Sequence, residues 1–197
     1  MKLLIISGTP KKEGICHSLV KIAENTAIEI GAETEVVKLT DYAFMACKMC
    51  DEGWGQCLTD HLCRFGDKDG FNALQQKFKE ADAFVFITPV YWGEASEAFK
   101  TFFNKLRRCQ ATKQWDGNDT GDGSYLAGKL IILVASAGGS GNGILSTLTE
   151  MERSLGHMNA GSRSNIYDYI CVNRWNQEYK RETLKLAVTS LIQNGRD

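Results

Sequence analysis

The sequence predicts an α/β fold in which one open parallel sheet carries helices on both faces. Two observations lead there. Five short apolar or β-branched runs alternate with five stretches whose apolar residues recur at helical spacing, with no internal repeat, low-complexity tract or linker between them. The third run, "AFVFIT", reads as a continuous apolar strand of the kind buried on both faces, which belongs in a parallel sheet.

"KLLIIS" (2–7) is the first strand, and Leu19, Ile22, Ala23, Ala27 and Ile30 mark a helix that ends at Gly31. "TEVVKL" (34–39) completes a βαβ unit. Phe71, Leu74, Phe78 and Ala81 place the next helix after Gly70. "AFVFIT" (83–88) follows as the third strand, interrupted by a loop, "PVYWGEAS". Phe99, Phe102, Phe103 and Leu106 line the third helix, and the Gly- and Asp-rich stretch 110–128 reads as a long loop. "KLIILVAS" (129–136) is the fourth strand; Ile144, Leu145, Leu148, Met151 and Leu155 mark a helix stopped by Gly156. Residues 162–172 form a fifth strand, and Leu184, Ala187, Val188 and Leu191 stripe the closing helix behind a cap at Asn176.

Composition narrows the function. A chain of 197 residues, 43% hydrophobic and 24% charged, fits a single domain, residues 1–197, with a cysteine-rich insertion at about 45–66. Its 23 basic and 24 acidic residues are scattered without runs, so nucleic acid is not an expected partner. "MKLLIIS" is too short for a secretion signal, and no apolar run approaches the roughly 20 residues that cross a bilayer, so a cytoplasmic protein with no membrane partner is expected. In that compartment thiols stay reduced, and seven cysteines suggest metal or redox chemistry before disulfides.

Ligands of open parallel sheets sit beyond the carboxyl ends of the strands, where the strand order reverses. Three loops occupy that edge. "SGTPKKEGICHS" offers the hydroxyls of Ser7, Thr9 and Ser18, the amines of Lys11 and Lys12, and a glycine that turns N–H groups inward at a helix start, which makes an anion nest. Gly8 and Gly14 are spaced too widely for a nucleotide triphosphate loop, and the dinucleotide fingerprint is also missing. The alternative is an ordinary solvated turn. "TPVYWGEAS" presents Tyr91 and Trp92 either to a flat aromatic ligand or to a subunit interface. "SAGGSGNG" lets the main chain approach a ligand closely, or is simply flexible.

"SGTPKKEG", "PVYWGEAS" before "FKTFFNKL", and "ASAGGSGNG" before a helix resemble the flavodoxin-like NAD(P)H-dependent FMN reductases, particularly the branch of iron–sulfur flavoproteins. The resemblance spans nearly the whole chain, and "NRWNQEYKRETL" is similar to that branch's final helix. It implies a flavodoxin-like three-layer sandwich with a five-stranded parallel sheet of order 2-1-3-4-5. The implied activity is that of an FMN-dependent flavin or quinone reductase, moving electrons from NAD(P)H or a reduced carrier to a small-molecule or protein acceptor. The FMN phosphate would then lie on Ser7, Thr9, Pro10, Lys11, Ile15, Cys16 and Ser18. Its ring would lie between Pro89, Val90, Tyr91, Trp92 and Gly93 on one side and Ala137, Gly138, Gly139 and Gly143 on the other. Backbone N–H groups of the glycine loop would stabilise negative charge on the reduced ring, and because hydride passes directly to the flavin no catalytic side chain is required. Where relatives carry a polar pair after the loop glycine, this chain has Ile15, Cys16 and His17. A homodimer or homotetramer is also implied, with the aromatic loop and segment 110–128 covering the flavin of a second subunit.

"ACKMCDEGWGQCLTDHLC" places Cys47, Cys50, Cys57 and Cys63 between the second strand and the next helix, the location of the cysteine cluster in that branch. The branch usually shows two consecutive Cys-x-x-Cys steps, and here Gly53 stands at the third position. From the residues alone a [4Fe–4S] cluster, a zinc ion and free redox-switching thiols all stay open. So do two rival functions, an electron carrier without its own substrate and a cysteine metal- or redox-sensing module. Cys171 reads as a small core hydrophobe, and His17, His61 and His157, widely separated, as surface or capping residues. Asp116, Asp119 and Asp122 alternate with glycines but draw no calcium loop.

Overall fold

The computed structural model describes residues 1–110, 124–158 and 166–195. Its strands are β1 (Lys2–Ser7), β2 (Glu33–Lys38), β3 (Ala83–Tyr91), β4 (Glu94–Ala95), β5 (Leu130–Ser136) and β6 (Ile166–Val172). Its helices are α1 (Ile15–Glu29), α2 (Cys57–Asp60), α3 (Phe71–Glu80), α4 (Glu97–Gln110), α5 (Ile144–Met158) and α6 (Gln177–Asn194). The five long strands pair in parallel in the order β2-β1-β3-β5-β6, which is the expected 2-1-3-4-5 once the two-residue β4 is set aside. The chain therefore starts mid-sheet, steps out to β2 and returns past β1 to β3, so the order reverses between β1 and β3.

Alternation along each strand builds the two outer layers. Leu4, Ile6, Phe84, Phe86, Ile131 and Leu133 meet the apolar faces of α3, α4 and α5. Leu3, Ile5, Val85, Ile87, Ile132 and Val134 meet those of α1 and α6. All twelve are fully buried, the double-sided burial that the apolar runs predict.

Three expectations change. Strand β3 does not stop at Thr88: it continues through Pro89, Val90 and Tyr91, turns at Trp92–Gly93 and pairs back with β4, Val90 opposite Ala95 and Tyr91 opposite Glu94. Trp92 and Gly93 both take positive φ (54° and 91°), the two-residue turn whose twist matches that of the flanking strands. Pro89 is tolerated because β1 has already ended, Ser7 lying opposite Ile87. Gly156 does not stop α5, which runs to Met158: the burial of Leu155 and Met158 outweighs the roughly 1 kcal/mol cost of one helical glycine. Asn176 occupies the N-cap position of α6 without capping it. Its Oδ1 instead accepts from the Asn173 N–H at 2.8 Å and its Nδ2 donates to the Cys171 carbonyl at 3.2 Å. The fifth strand is described from Ile166 onward, and Asp116, Asp119 and Asp122, with most of segment 110–128, lie outside the described residues. Among the described residues no helix is long and apolar enough to cross a membrane.

Candidate functional site

Strands β1, β3 and β5 are neighbours at the centre of the sheet, so the turns leaving their carboxyl ends meet on one rim. The first turn leaves β1 across the switch point. Gly8 N–H donates to the Ile87 carbonyl at 2.9 Å, and the Gly8 carbonyl accepts from Ser96 Oγ at 2.7 Å. A Cβ at residue 8 would stand 2.8 Å from that Oγ and 3.1 Å from Phe99 Cβ, so only glycine lets the loop pass this close to α4. Thr9 Oγ1 then accepts from the Lys11 N–H at 3.4 Å, and the chain enters α1 at Gly14, which makes no side-chain cap. First-turn amides of α1 thus remain as donors at the positive end of a 15-residue helix. Pro10 and Lys11 are exposed, Ile15 and Ser18 are partly covered, and Cys16 is buried. Burial pushes the Cys16 thiol up to about 11, against a hydrogen bond with Ser136 and the charge of Lys11.

The other two turns are stitched together. Ser146 Oγ lies 3.1 Å from the Gly93 carbonyl and 3.0 Å from that of Gly143, and a Cβ at residue 143 would fall 2.3 Å from Gly93 Cα. Gly138 and Gly139, by contrast, are exposed, and a Cβ on either would meet nothing within 4 Å. This part of the main chain is bare and has open space beside it. Pro89, Val90 and Ala137 are buried within or beside the strands, Tyr91 is exposed at the strand tip and Trp92 stands fully in solvent. Burial raises the Tyr91 phenol.

Ser96, Ser146 and Asn173 were not singled out in the sequence, yet each positions the rim. Ser96 Oγ holds the first turn and accepts from the Phe99 N–H at 3.4 Å at the start of α4. Asn173 Oδ1 accepts from the N–H groups of Trp175 (2.9 Å) and Asn176 (3.1 Å), forming a fourth turn that reaches Gly139 through the Arg174 N–H. A serine or asparagine ahead of a helix was the available signal for Ser96 and Asn173, whereas Ser146 lies within α5 and carries no such signal.

The cysteine segment forms a second centre, under the end of α4. Cys47, Cys50, Cys57 and Cys63, each partly exposed, line one cavity, and the buried Cys109 of α4 joins them. Arg108 and Lys105 line it as well. The segment is tied down at several points: the Met45 N–H donates to Asp69 Oδ2 at 2.9 Å, that carboxylate pairs with Lys105 Nζ at 2.5 Å, and the Cys63 N–H donates to Asn72 Oδ1 at 2.9 Å. His61, expected as a surface or capping residue, stands at the C-cap of α2 and is buried rather than exposed, its Nδ1 2.6 Å from the Cys109 carbonyl. A left-handed turn at the end of α2 directs it inward. His157 is exposed and Cys171 packs partly buried against the core, as expected. Among the described residues, Met49, Asp51, Glu52 and His61 are four of the five non-glycine residues with positive φ.

Donor type and number in this cavity fit a thiolate-bound group, and Arg108 in its wall offsets thiolate charge, Lys105 being already paired with Asp69. Spacing fits less well: among the described residues no three His, Cys, Asp or Glu side chains are placed to share one metal ion. That disfavours a zinc ion more than a cluster, whose thiolates ligate separate irons. The cavity measures about 30 Å³, room for a water molecule rather than a cluster.

A model of the NADPH-dependent FMN reductase family matches residues 1–167. An iron–sulfur flavoprotein of Archaeoglobus fulgidus is 36% identical over 110 residues, 54% of this chain and 49% of its own. One from Methanosarcina thermophila is 31% identical over 111 residues, 55% of each chain. The chain thus spans about half the length of these curated relatives. Among solved structures, a flavone reductase superposes with a TM-score of 0.70 at 20% identity, covering 100% of this chain and 64% of that one. An FMN-dependent NADH-azoreductase from Bacillus anthracis gives 0.71 at 13% identity, covering 97% and 99%. At these identities the structures establish the shared fold.

Proposed function

The chain belongs to the NADPH-dependent FMN reductase family, and from that membership together with the rim we propose that it is an FMN-dependent oxidoreductase. The observation that carries this reading is the meeting of an uncapped helix start, a tryptophan-tipped hairpin and a bare glycine loop at the switch point of the sheet. The α1 start, with Ser7, Thr9, Pro10, Lys11, Ile15, Cys16 and Ser18, binds the phosphate. The tip of β3 (Pro89 to Gly93) and the loop Ala137–Gly143 would flank the ring, with the N–H groups of Gly138 and Gly139 available to negative charge on it. When bound, FMN supplies hydride acceptance from a reduced nicotinamide and electron delivery to an acceptor. The chain's own task is to position the ring and to exclude water; no side chain need move a proton.

Cys47, Cys50, Cys57 and Cys63 are the thiols from which the segment draws ligands for an iron–sulfur cluster. The cationic cavity and the names of the archaeal relatives favour this over a zinc site. An electron donor or acceptor, small molecule or protein, then exchanges electrons with the flavin. The margin bearing Trp92 joins two copies of the chain in a homodimer.

The test is anaerobic spectroscopy. Apoprotein titrated with FMN is expected to bind it at micromolar concentration or tighter, and NADPH or NADH to bleach the flavin band. Apoprotein that takes up no FMN at ~100 μM, well above the concentrations at which cofactor sites usually fill, ends the reading. FMN uptake without nicotinamide oxidation reduces it to an electron carrier.

A further inference from the structure

Arg181 lies on α6 where the apolar stripe of that helix runs out toward the rim. It precedes Leu184 and Val188 at helical spacing, and so continues the line of side chains that buries α6 in the layer it shares with Leu19, Val20 and Ala23 of α1. Both helices leave the carboxyl ends of parallel strands, and their starts lie side by side: Arg181 Nη2 reaches Ser18 Oγ at 3.4 Å.

The guanidinium is underused there. Its Nε is buried without a hydrogen-bond partner, and Nη2 makes only long contacts with two neutral oxygens, Ser18 Oγ and Gln177 Oε1 at 3.5 Å. Among the described residues no carboxylate pairs with it, and the adjacent Glu182 pairs with Lys185 instead. A partly buried cation left in this way is costly until an anion completes it. Resting on the flavin reading above, we infer that Arg181 is a phosphate-binding residue of the FMN site, reaching the anion from α6 across Ser18.

The surroundings select that class of ligand. The start of α1 has no side-chain cap and no acidic residue in its first turn, so its positive end and Arg181 meet at one place with nothing negative between them. Ser18 Oγ donates to the Ile15 carbonyl at 2.9 Å, and toward Arg181 it therefore accepts. Ile15 and Cys16 bring no charge to the first turn, and Lys11 and Lys12 are exposed, where water and salt screen them. Arg181 is only partly exposed, and its planar fork suits phosphate oxygens while the α1 amides take the others.

The experiment titrates apoprotein with FMN and with riboflavin, which shares the ring and lacks the phosphate, in wild type and in Arg181→Met. Melting profiles of the apoproteins report the fold. Wild type is expected to bind FMN more tightly than riboflavin. Arg181→Met is expected to lose about 10- to 100-fold in FMN affinity, the worth of one charge-assisted hydrogen bond, with riboflavin affinity unchanged. Undiminished FMN binding overturns the assignment, and so does an equal loss for both flavins, which is what a merely structural arginine would give. Should Arg181→Met fail to fold, Arg181→Gln, polar and uncharged, is read against the same outcomes. Where riboflavin binds too weakly to titrate, inorganic phosphate replaces it as a competitor of FMN: weaker competition in the variant supports the assignment and equal competition overturns it. A wild type that binds neither flavin is a different failure and removes the flavin reading itself, whereas one that binds both equally keeps that reading and removes Arg181 from it.

Discussion

Individual residues at the two centres differ in how they meet charge. Lys105 and Asp69 are both about 2% exposed and paired, and the carboxylate also accepts from the Met45 and Phe71 N–H groups. Breaking such a pair by removing one partner typically costs 3–5 kcal/mol, because the other charge stays buried. A Lys105→Met variant is therefore expected to lose about that much stability in urea melts and to loosen the cysteine segment at Met45; a loss under ~1 kcal/mol contradicts the role given to the pair. Cys16 shows the opposite strategy, remaining neutral. Its folded pKa, raised by burial to about 11 from 9.0, means that the folded state holds its proton more tightly than the unfolded chain. The stabilisation is complete below pH 9 and disappears as the pH climbs through 11, a slope worth roughly 2–3 kcal/mol at most. Urea melts at pH 8, 9.5 and 11 are expected to show this alkaline loss in wild type and a flatter profile in Cys16→Ala; equal slopes would refute it. Neither feature was legible in the sequence, where Lys105 is one helical lysine among several and Cys16 occupies the place of a polar loop residue.

At the scale of elements, the strands and most helices could be read directly, because double-sided burial leaves long apolar runs and helices leave apolar stripes. The misreadings share one cause: local signals yielded to tertiary pairing. Pro89 and Gly93 looked like the punctuation of a loop, yet the first extends β3 and the second makes the turn of a hairpin; Gly156 looked like a stop and lies within α5. The glycine loop separates two kinds of glycine that look alike in sequence. Gly143 has φ +82° and abuts the Gly93 backbone, whereas Gly139 has open space. Gly143→Ala is expected to cost roughly 2–4 kcal/mol from left-handed strain and overpacking, and to weaken FMN binding with it. Gly139→Ala is expected to leave the melting profile unchanged while weakening FMN by about tenfold, since its Cβ would intrude only on a bound ring. Unchanged FMN affinity in Gly139→Ala would mean that the ring does not approach this loop.

For the whole molecule, the rim leaves large apolar side chains in water. Trp92 is fully exposed, Leu145 is 73% and Trp175 63% exposed, and they follow β3, β5 and β6, which are adjacent in the sheet, so they share one margin. Isolated exposed apolar residues are ordinary, but neighbouring ones mark an interaction surface. On the proposed homodimer, with the hairpin tip held by Ser146 and the glycine loop, Trp92 would project as a fixed anchor, the kind of residue that dominates an interface. A two-fold contact would use each tryptophan twice, so its removal acts on both halves of the interface at once. Burial of one such side chain contributes about 1.5–3 kcal/mol, and two lost anchors should raise the dimer dissociation constant at least a hundredfold. Sedimentation velocity at ~10 μM is the measurement, with wild type expected as a dimer and Trp92→Ser as a monomer. Because Trp92 supports no core residue, the monomer should keep the wild-type melting profile in dilute solution. A monomeric wild type, or a Trp92→Ser protein that dimerises as well as its parent, would leave the exposed margin to a partner other than this chain.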